Sequence, residues 1–402
     1  MNKMQLFMLS VYGVIIALMG SSIKNTYQVY LNTMSDDFSL ARGDFLMSGA
    51  LFMIGVGFFS PLAGLIADKY GIRKVIYLGI VLSSASFFLL SFSQSFIVFM
   101  FAYGILASFA YSAISYIPLG IIIYDNIPSG SKNFVYALVT NGTALGFVIL
   151  SPLWLLLEGY FGWREVYLIL TLIFILPLIL YSKYIFSYVN VKENTKDNLD
   201  NIPKSNQPSV FFKHPAFYLL MIGFFGCGFT MAYIDVHWVS QLKDKMVDAE
   251  YIAIFLIIFG VAEFVGALAS GKLLDKYNYV TILSGCYLIR FFSLLALFYA
   301  HSLFAIVIFA TLFGLSFMGT VISTTALIVK LFPQNKGFIL GFIWLSHQVG
   351  ASLSVRYGGV LYDNTSSYHI IISVTAAIAL ISAAISLFIL KFNKYKGETL
   401  KA

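Results

Sequence analysis

The chain has 402 residues, 59% of them hydrophobic and only 11% charged, with a mean hydropathy of +0.87. Soluble domains carry about 25% charged residues, so this composition excludes one and points to a polytopic membrane protein. The formal charge of +7 is distributed as a topology signal rather than as a nucleic-acid-binding face, and the two cysteines, Cys227 and Cys286, each lie inside an apolar run, where they read as small core residues and not as a disulfide or metal pair.

A bilayer-spanning helix needs about 20 apolar residues at 1.5 Å rise each. Runs of that kind fall near 6–33, 44–67, 75–92, 97–124, 134–158 and 165–186, then near 215–242, 249–274, 280–300, 303–330, 337–362 and 367–390. The first run continues past Gly20 to Tyr30 without a small-residue cleavage site, so no removable signal is expected. Between the two sets of six lies the polar, turn-rich stretch Ser187 to Phe212. The predicted organisation is an N-terminal six-helix bundle over 1–186, a cytoplasmic linker over 187–213 and a C-terminal six-helix bundle over 214–402. With the amino terminus inside, eighteen Lys and Arg fall on inner segments and four (Arg42, Arg164, Lys243 and Lys245) on outer ones. That bias predicts that both termini face the cytoplasm, and the expected location is a bacterial inner membrane.

Three cations, Lys24, Arg290 and Arg356, remain inside the spans, with two acids, Asp235 and Glu263. Each charge at that depth costs at least about 2.5–3.5 kcal/mol on insertion scales, which makes each a functional candidate. Lys24 shares a polar helix face with Gly20, Tyr27 and Gln28. Arg356 shares one with Ser352 and Gln348, whereas His347, nine positions away, points to the opposite side and is expected to be a packing histidine. Glu263 and Arg290 lie at equal depth on neighbouring antiparallel spans and are expected to pair. Hydroxyl stripes mark the fourth span (Ser108, Tyr111, Ser112, Ser115, Tyr116) and the tenth (Ser316, Thr320, Ser323, Thr324), either as packing groups or as a binding surface. Trp238 and Trp344 are candidate aromatic walls.

The stretch Ser60 to Lys74, SPLAGLIADKYGIRK, forces two spans into an antiparallel pair through a short charged loop. Gly64 is expected to let a neighbouring backbone approach and Gly71 to supply a turn conformation, with Asp68, Arg73 and Lys74 at the membrane surface. Gly271 to Tyr279, GKLLDKYNY, repeats the glycine, the acid (Asp275) and the Lys-Tyr pair, with Asn278 where Gly71 stood. The loop resembles that between helices two and three of the major facilitator superfamily, and a second copy is what internal duplication produces. The resemblance implies twelve transmembrane helices in two pseudo-symmetric bundles, an all-α fold. It also implies that helices one, four, seven and ten line a central cavity, and that Gly64, Asp68, Gly71, Arg73, Gly271 and Asp275 gate it on the inner side.

Within that superfamily, Lys24 to Lys74, the FGWREVYLIL stretch from Phe161 and GGVLYDNTSSY from Gly358 resemble the monocarboxylate transporter and oxalate/formate antiporter branch. Proteins of the branch are similar in carrying a Lys in helix one, matched by Lys24, and an acid and an Arg in helix eight. The acid is matched by Glu263, while Ala267 stands in the place of the Arg. A cation in helix eleven is matched by Arg356. The resemblance implies a secondary active transporter that moves a small organic anion, a monocarboxylate or dicarboxylate, by alternating access, as proton symport or anion exchange. Lys24, Tyr27, Gln28, Ser112, Tyr116, Thr320, Ser323, Gln348, Ser352 and Arg356 are the expected substrate ligands, and Asp235, Glu263 and Arg290 the coupling residues. The other reading is an exporter of a drug-like or siderophore-like molecule, against which the fourth span lacks an early Arg and Pro152 follows Ser151 in place of Gly. No enzyme motif, cofactor, metal or nucleic-acid partner is expected, and the protein is expected to act as a monomer in the bilayer.

Overall fold

A computed structural model describes residues 3–126, 132–189, 214–298, 302–332 and 336–394. Among them every regular element is helical. We label the long helices α1 (Lys3–Val29), α2 (Met47–Tyr70), α3 (Ile72–Ser91), α4 (Phe96–Gly120), α5 (Leu138–Leu157), α6 (Trp163–Val189), α7 (Pro215–Asp244), α8 (Ala249–Leu274), α9 (Tyr279–Phe298), α10 (Leu303–Leu331), α11 (Lys336–Thr365) and α12 (His369–Leu390). Among the described residues eleven stretches are long and apolar enough to cross a membrane, and they fall on every helix except α11. That helix spans 30 residues, but His347, Gln348, Ser352, Ser354 and Arg356 dilute its apolar content.

The chain divides into two compact units. Unit 1 comprises Met1–Ala41 and Met47–Pro203; unit 2 comprises Lys204–Ala402 together with the five residues Arg42–Leu46. The expected linker falls mainly on 190–213, outside the described residues.

Inside unit 1, α1 packs on α5, α2 on α4, and α3 against α4 and α6. Inside unit 2 the pairing repeats: α7 on α11, α8 on α10, and α9 against α10 and α12. Helices in lipid gain no hydrophobic driving force from touching each other, so close backbone approach through small residues holds them together. In unit 1 a methyl on Gly142 would sit 2.7 Å from both the Val14 carbonyl and the Ala17 side chain. In unit 2 one on Gly228 would sit 1.9 Å from the His347 carbonyl.

Several spans are interrupted. In α4 the helix leaves its path at Ser115 (ψ −161°) and resumes over Tyr116–Asn126. Pro118 has no N–H to bond the Ile114 carbonyl and its ring would clash with that carbonyl, so the chain breaks between them, at Ser115. The α7 helix widens to a π-turn over Tyr233–His237, a form frequent at functional sites because it re-aims side chains inside a continuous helix.

Candidate functional site

In unit 1, Lys24 is half-buried on α1, four residues from Gly20. Beside Gly20, at the interruption of α4, a shallow crevice is lined also by Tyr111, Ser115 and Thr143, so part of the hydroxyl stripe of the fourth span does face an opening. Other expected ligands in this half do not. Tyr27 is 1% exposed; its ring lies flat on Tyr103 at 4.2 Å, and its hydroxyl bonds Ser48 Oγ at 3.0 Å. An aromatic platform and a hydroxyl partner together draw it into the packing of α1, α2 and α4. Ser112 donates to the Ser108 carbonyl (2.8 Å) in the α2–α4 seam, the helix-packing use of a hydroxyl. Gln28 is buried, and the side chain of Tyr116 lies outside the described residues.

In unit 2 the expected Glu263–Arg290 pair is replaced by a different arrangement. Arg290 is fully buried on α9. Its guanidinium donates to Thr230 Oγ1 on α7 (2.6 Å), to Thr320 Oγ1 on α10 (3.1 Å) and to the carbonyls of Ser316 (3.2 Å) and Phe317 (3.1 Å), and it lies 5.0 Å from the centroid of the Phe313 ring. Equal depth on adjacent helices is a matter of sequence; the azimuth is set by packing, and it aims Arg290 toward α7 and α10. Glu263, 1% exposed, lies on the α8 face that meets α10, where Gly266 abuts the Leu315 carbonyl. Thr320 is therefore committed to Arg290 and to Cys227 Sγ (3.1 Å) rather than open to a ligand. Ser323 is fully buried, and Gln348 and Ser352 are buried on α11. Asp235, 7% exposed, sits in the middle of the π-turn of α7.

The aromatic candidates are core residues. Trp238 is fully buried against Phe309 (5.3 Å) and Phe259 (5.8 Å). Trp344 and Phe224 flank His347 at 5.1 and 4.8 Å, as a packing histidine requires.

The densest polar cluster of unit 2 was not visible in the sequence. It is built on Arg42–Leu46, which includes a short helical turn, Arg42–Phe45. Arg42 grips Asp244 at the end of α7 with two hydrogen bonds (2.5 and 2.7 Å), donates to Tyr368 Oη (3.0 Å) and stacks 4.1 Å from the Tyr362 ring centroid. The Asp363 carboxylate accepts from the backbone N–H groups of Arg42 (3.0 Å) and Gly43 (2.7 Å), while Arg356 reaches Asp44 at 3.1 Å. Arg356 thus occupies an ion pair with a largely exposed acid, away from the ligand role expected of it. Partners some 200–320 positions apart share no spacing signal, so charge counting could register Arg42 only as a loop residue. Unit 1 has a smaller counterpart in which Asp37 accepts from Trp163 Nε1 (2.8 Å) and Arg164 (2.6 Å).

Of the expected gating residues, Gly71 adopts φ 92°, the left-handed region where a side chain is strained, at the start of α3. In the matching loop Asn278 takes over by capping α9 through Val280 N–H (2.9 Å). The expected close approach at Gly64 is absent, since space beside it and beside Gly271 is open to 4 Å. Arg73 is partly buried with its guanidinium 5.9 Å from the Phe186 ring, and Asp275 ends α8. The side chain of Asp68 lies outside the described residues.

A family model described as Major Facilitator Superfamily matches residues 11–246 and 239–401. The uncharacterized MFS-type transporter YcxA of Bacillus subtilis is 30% identical over 96% of this chain and 95% of its own length. The benzoate transport protein of Acinetobacter baylyi is 25% identical over 71% of this chain and 68% of its own, and human monocarboxylate transporter 10 is 25% identical over 85% and 68%. A crystal structure of a bacterial homologue of the human lysosomal transporter Spinster aligns over 98% of both chains with a TM-score of 0.73 at 15% identity, a likeness of fold.

Proposed function

Because this chain belongs to the Major Facilitator Superfamily and is a multi-pass membrane transporter, we propose that it carries a small organic anion, held by Lys24, with a proton or counter-anion coupled through Asp235 or Glu263. The observation that carries the reading is the charge inventory of unit 1. Lys24 is its single Lys, Arg, Asp or Glu well inside a span, on a helix whose neighbouring positions are Asn25, Thr26 and Gln28. An ammonium in a low-dielectric setting favours an anionic ligand over a neutral one. In unit 2 the interior cation Arg290 is held by hydroxyls and carbonyls. With Arg356 engaged by Asp44, the ligand role rests on Lys24. Two relatives, a benzoate transport protein and a monocarboxylate transporter, support a carboxylate substrate.

A buried carboxylate that loses a positive neighbour tends to bind a proton, which is the property that suits Asp235 or Glu263 to coupling. Asp68 and Arg73 belong to this scheme as an inner gate. The test is uptake into liposomes, screening benzoate and small monocarboxylates with and without an inward proton gradient. Lys24→Gln is expected to abolish uptake, Lys24→Arg to retain part of it, and Asp235→Asn or Glu263→Gln to spare exchange while removing stimulation by the gradient. Transport of a neutral or cationic compound at the wild-type rate in Lys24→Gln would overturn the anion reading.

A further inference from the structure

The chemistry around His237 carries an inference that the sequence did not suggest. His237 lies in the π-turn of α7, two residues beyond Asp235, and is fully buried. Its Nε2 faces the Ser354 carbonyl of α11 at 3.2 Å, and a carbonyl only accepts, so Nε2 carries the hydrogen of the neutral ring. The other nitrogen, Nδ1, then presents a buried lone pair, and it has no hydrogen-bond partner among the described residues. The ring is seated on a glycine: a methyl at Gly358 would fall 2.3 Å from Nε2. The next residue, Gly359, performs the same service for the docked segment, since a methyl there would fall 2.7 Å from Gly43 Cα and 2.6 Å from Leu46. One glycine pair of α11 therefore receives the imidazole and the segment Arg42–Leu46 side by side. The two also meet through Tyr368, whose ring centroid is 5.8 Å from that of His237 and whose hydroxyl accepts from Arg42 at 3.0 Å. Arg42 lies within electrostatic reach of the imidazole.

We propose that His237 is a proton-binding site whose protonation at Nδ1 releases the segment Arg42–Leu46 from unit 2. The proton adds a positive charge to a buried ring close to the Arg42 guanidinium, and like charges at low dielectric repel strongly. The titratable and charged groups around the imidazole are Arg42 on the segment, Tyr362, Asp363 and Tyr368 at the end of α11 and beyond it, and Tyr233, Asp235 and Asp244 on its own helix. Asp244 and Asp363 are already engaged with the segment, by two hydrogen bonds each, so their charge is committed to holding Arg42 and the backbone of Arg42 and Gly43. Proton binding and docking thus oppose each other, and linkage makes the opposition reciprocal: a docked segment keeps the ring neutral, and a released one lets it charge. This deepens the proton-coupled reading above and rests on it only for the consequence in transport. There it adds a proton site that is neither Asp235 nor Glu263.

Hydrogen exchange of the full chain in lipid nanodiscs, corrected for the intrinsic pH dependence of amide exchange, reads docking directly. Between about pH 8 and 5 the wild-type amides of residues 42–46 are expected to lose protection, by up to about tenfold per pH unit below the midpoint, as one linked proton requires. His237→Gln retains a donor toward Ser354 without a titrating nitrogen, and its protection is expected to stay flat. His237→Asn serves the same purpose if the first variant does not fold. Flat protection in the wild type, a midpoint below about pH 4.5 that belongs to carboxylates, or a variant that follows the wild-type curve would each overturn the proposal. In liposomes, His237→Gln is expected to exchange benzoate while losing stimulation by a proton gradient. If the wild type carries none of the carboxylates tested, the anion reading fails, and the exchange experiment still decides on His237.

Discussion

Units 1 and 2 are assembled by the same pairing of helices, yet the seams and interiors that result are different. In the first half the α1–α5 seam is mixed: Gly142 approaches the Val14 carbonyl (2.7 Å), but a methyl on Gly146 would meet side chains, Ser21 Oγ at 2.2 Å and Asn25 Nδ2 at 2.3 Å, groups that can rotate. In the second half the corresponding α7–α11 seam closes backbone on backbone, with Gly228 against the His347 carbonyl (1.9 Å) and Gly350 against that of Phe225 (2.1 Å). The ionic chemistry is divided in the same way. Unit 1 keeps one cation well inside its spans, whereas unit 2 buries Arg290, Glu263 and Asp235 and adds the Arg42 cluster. A duplicated scaffold thus constrains which helices touch, and leaves free what the contacts are made of. The more tightly closed, more charged half is the one expected to respond most sharply to substitution.

The largest effect that would sharpen this contrast is expected at Gly228. Gly228→Ala forces two backbones apart, at a cost on the order of 3 kcal/mol, the upper end of overpacking penalties, whereas Gly146→Ala is expected to cost about 1 kcal/mol as Ser21 and Asn25 rotate away. Gly64→Ala, with open space beside it, is expected to be neutral or slightly stabilising, because alanine favours a helix. Apparent melting temperatures of the purified variants rank the three, and equal losses at Gly228 and Gly146 would remove the distinction between the seams.

Next come the two ion-pair clusters. Arg42 and Asp244 have side chains 16% and 23% exposed and share two hydrogen bonds, while Arg164 and Asp37 are 35% and 44% exposed. Arg42→Ala is therefore expected to cost about 1–3 kcal/mol and Arg164→Ala less than about 1 kcal/mol, with the second loss vanishing in high salt. Thermal unfolding at two ionic strengths measures both.

The smallest contrast lies in the repeated loops. Gly71→Ala places a methyl in the left-handed region at about 1–2 kcal/mol, and Asn278→Ala removes a helix cap at about 1 kcal/mol. The swapped change Asn278→Gly is expected to cost only a few tenths of a kcal/mol. Were Asn278→Gly as damaging as Asn278→Ala, the capping account of the second loop would fail.

Composition and periodicity by themselves determined the membrane class, the helical fold and the positions of eleven spans to within a few residues, because a bilayer imposes length and apolarity on every crossing segment whatever surrounds it, while the family was legible in the loop Ser60 to Lys74 and its second copy. They also singled out Lys24, Arg290, Arg356, Asp235 and Glu263, since a charge inside an apolar run is conspicuous in any sequence. What each of these side chains faces was decided only in three dimensions. Helix azimuth and the path of short connecting segments depend on packing against partners hundreds of residues away. Packing turned Arg290 toward Thr230 and Thr320 instead of Glu263, drew Tyr27 onto Tyr103, and gave Arg356 to Asp44. His237 was invisible for the same reason: one histidine in an apolar run has no significance until Gly358, Ser354 and Arg42 are brought around it by the fold.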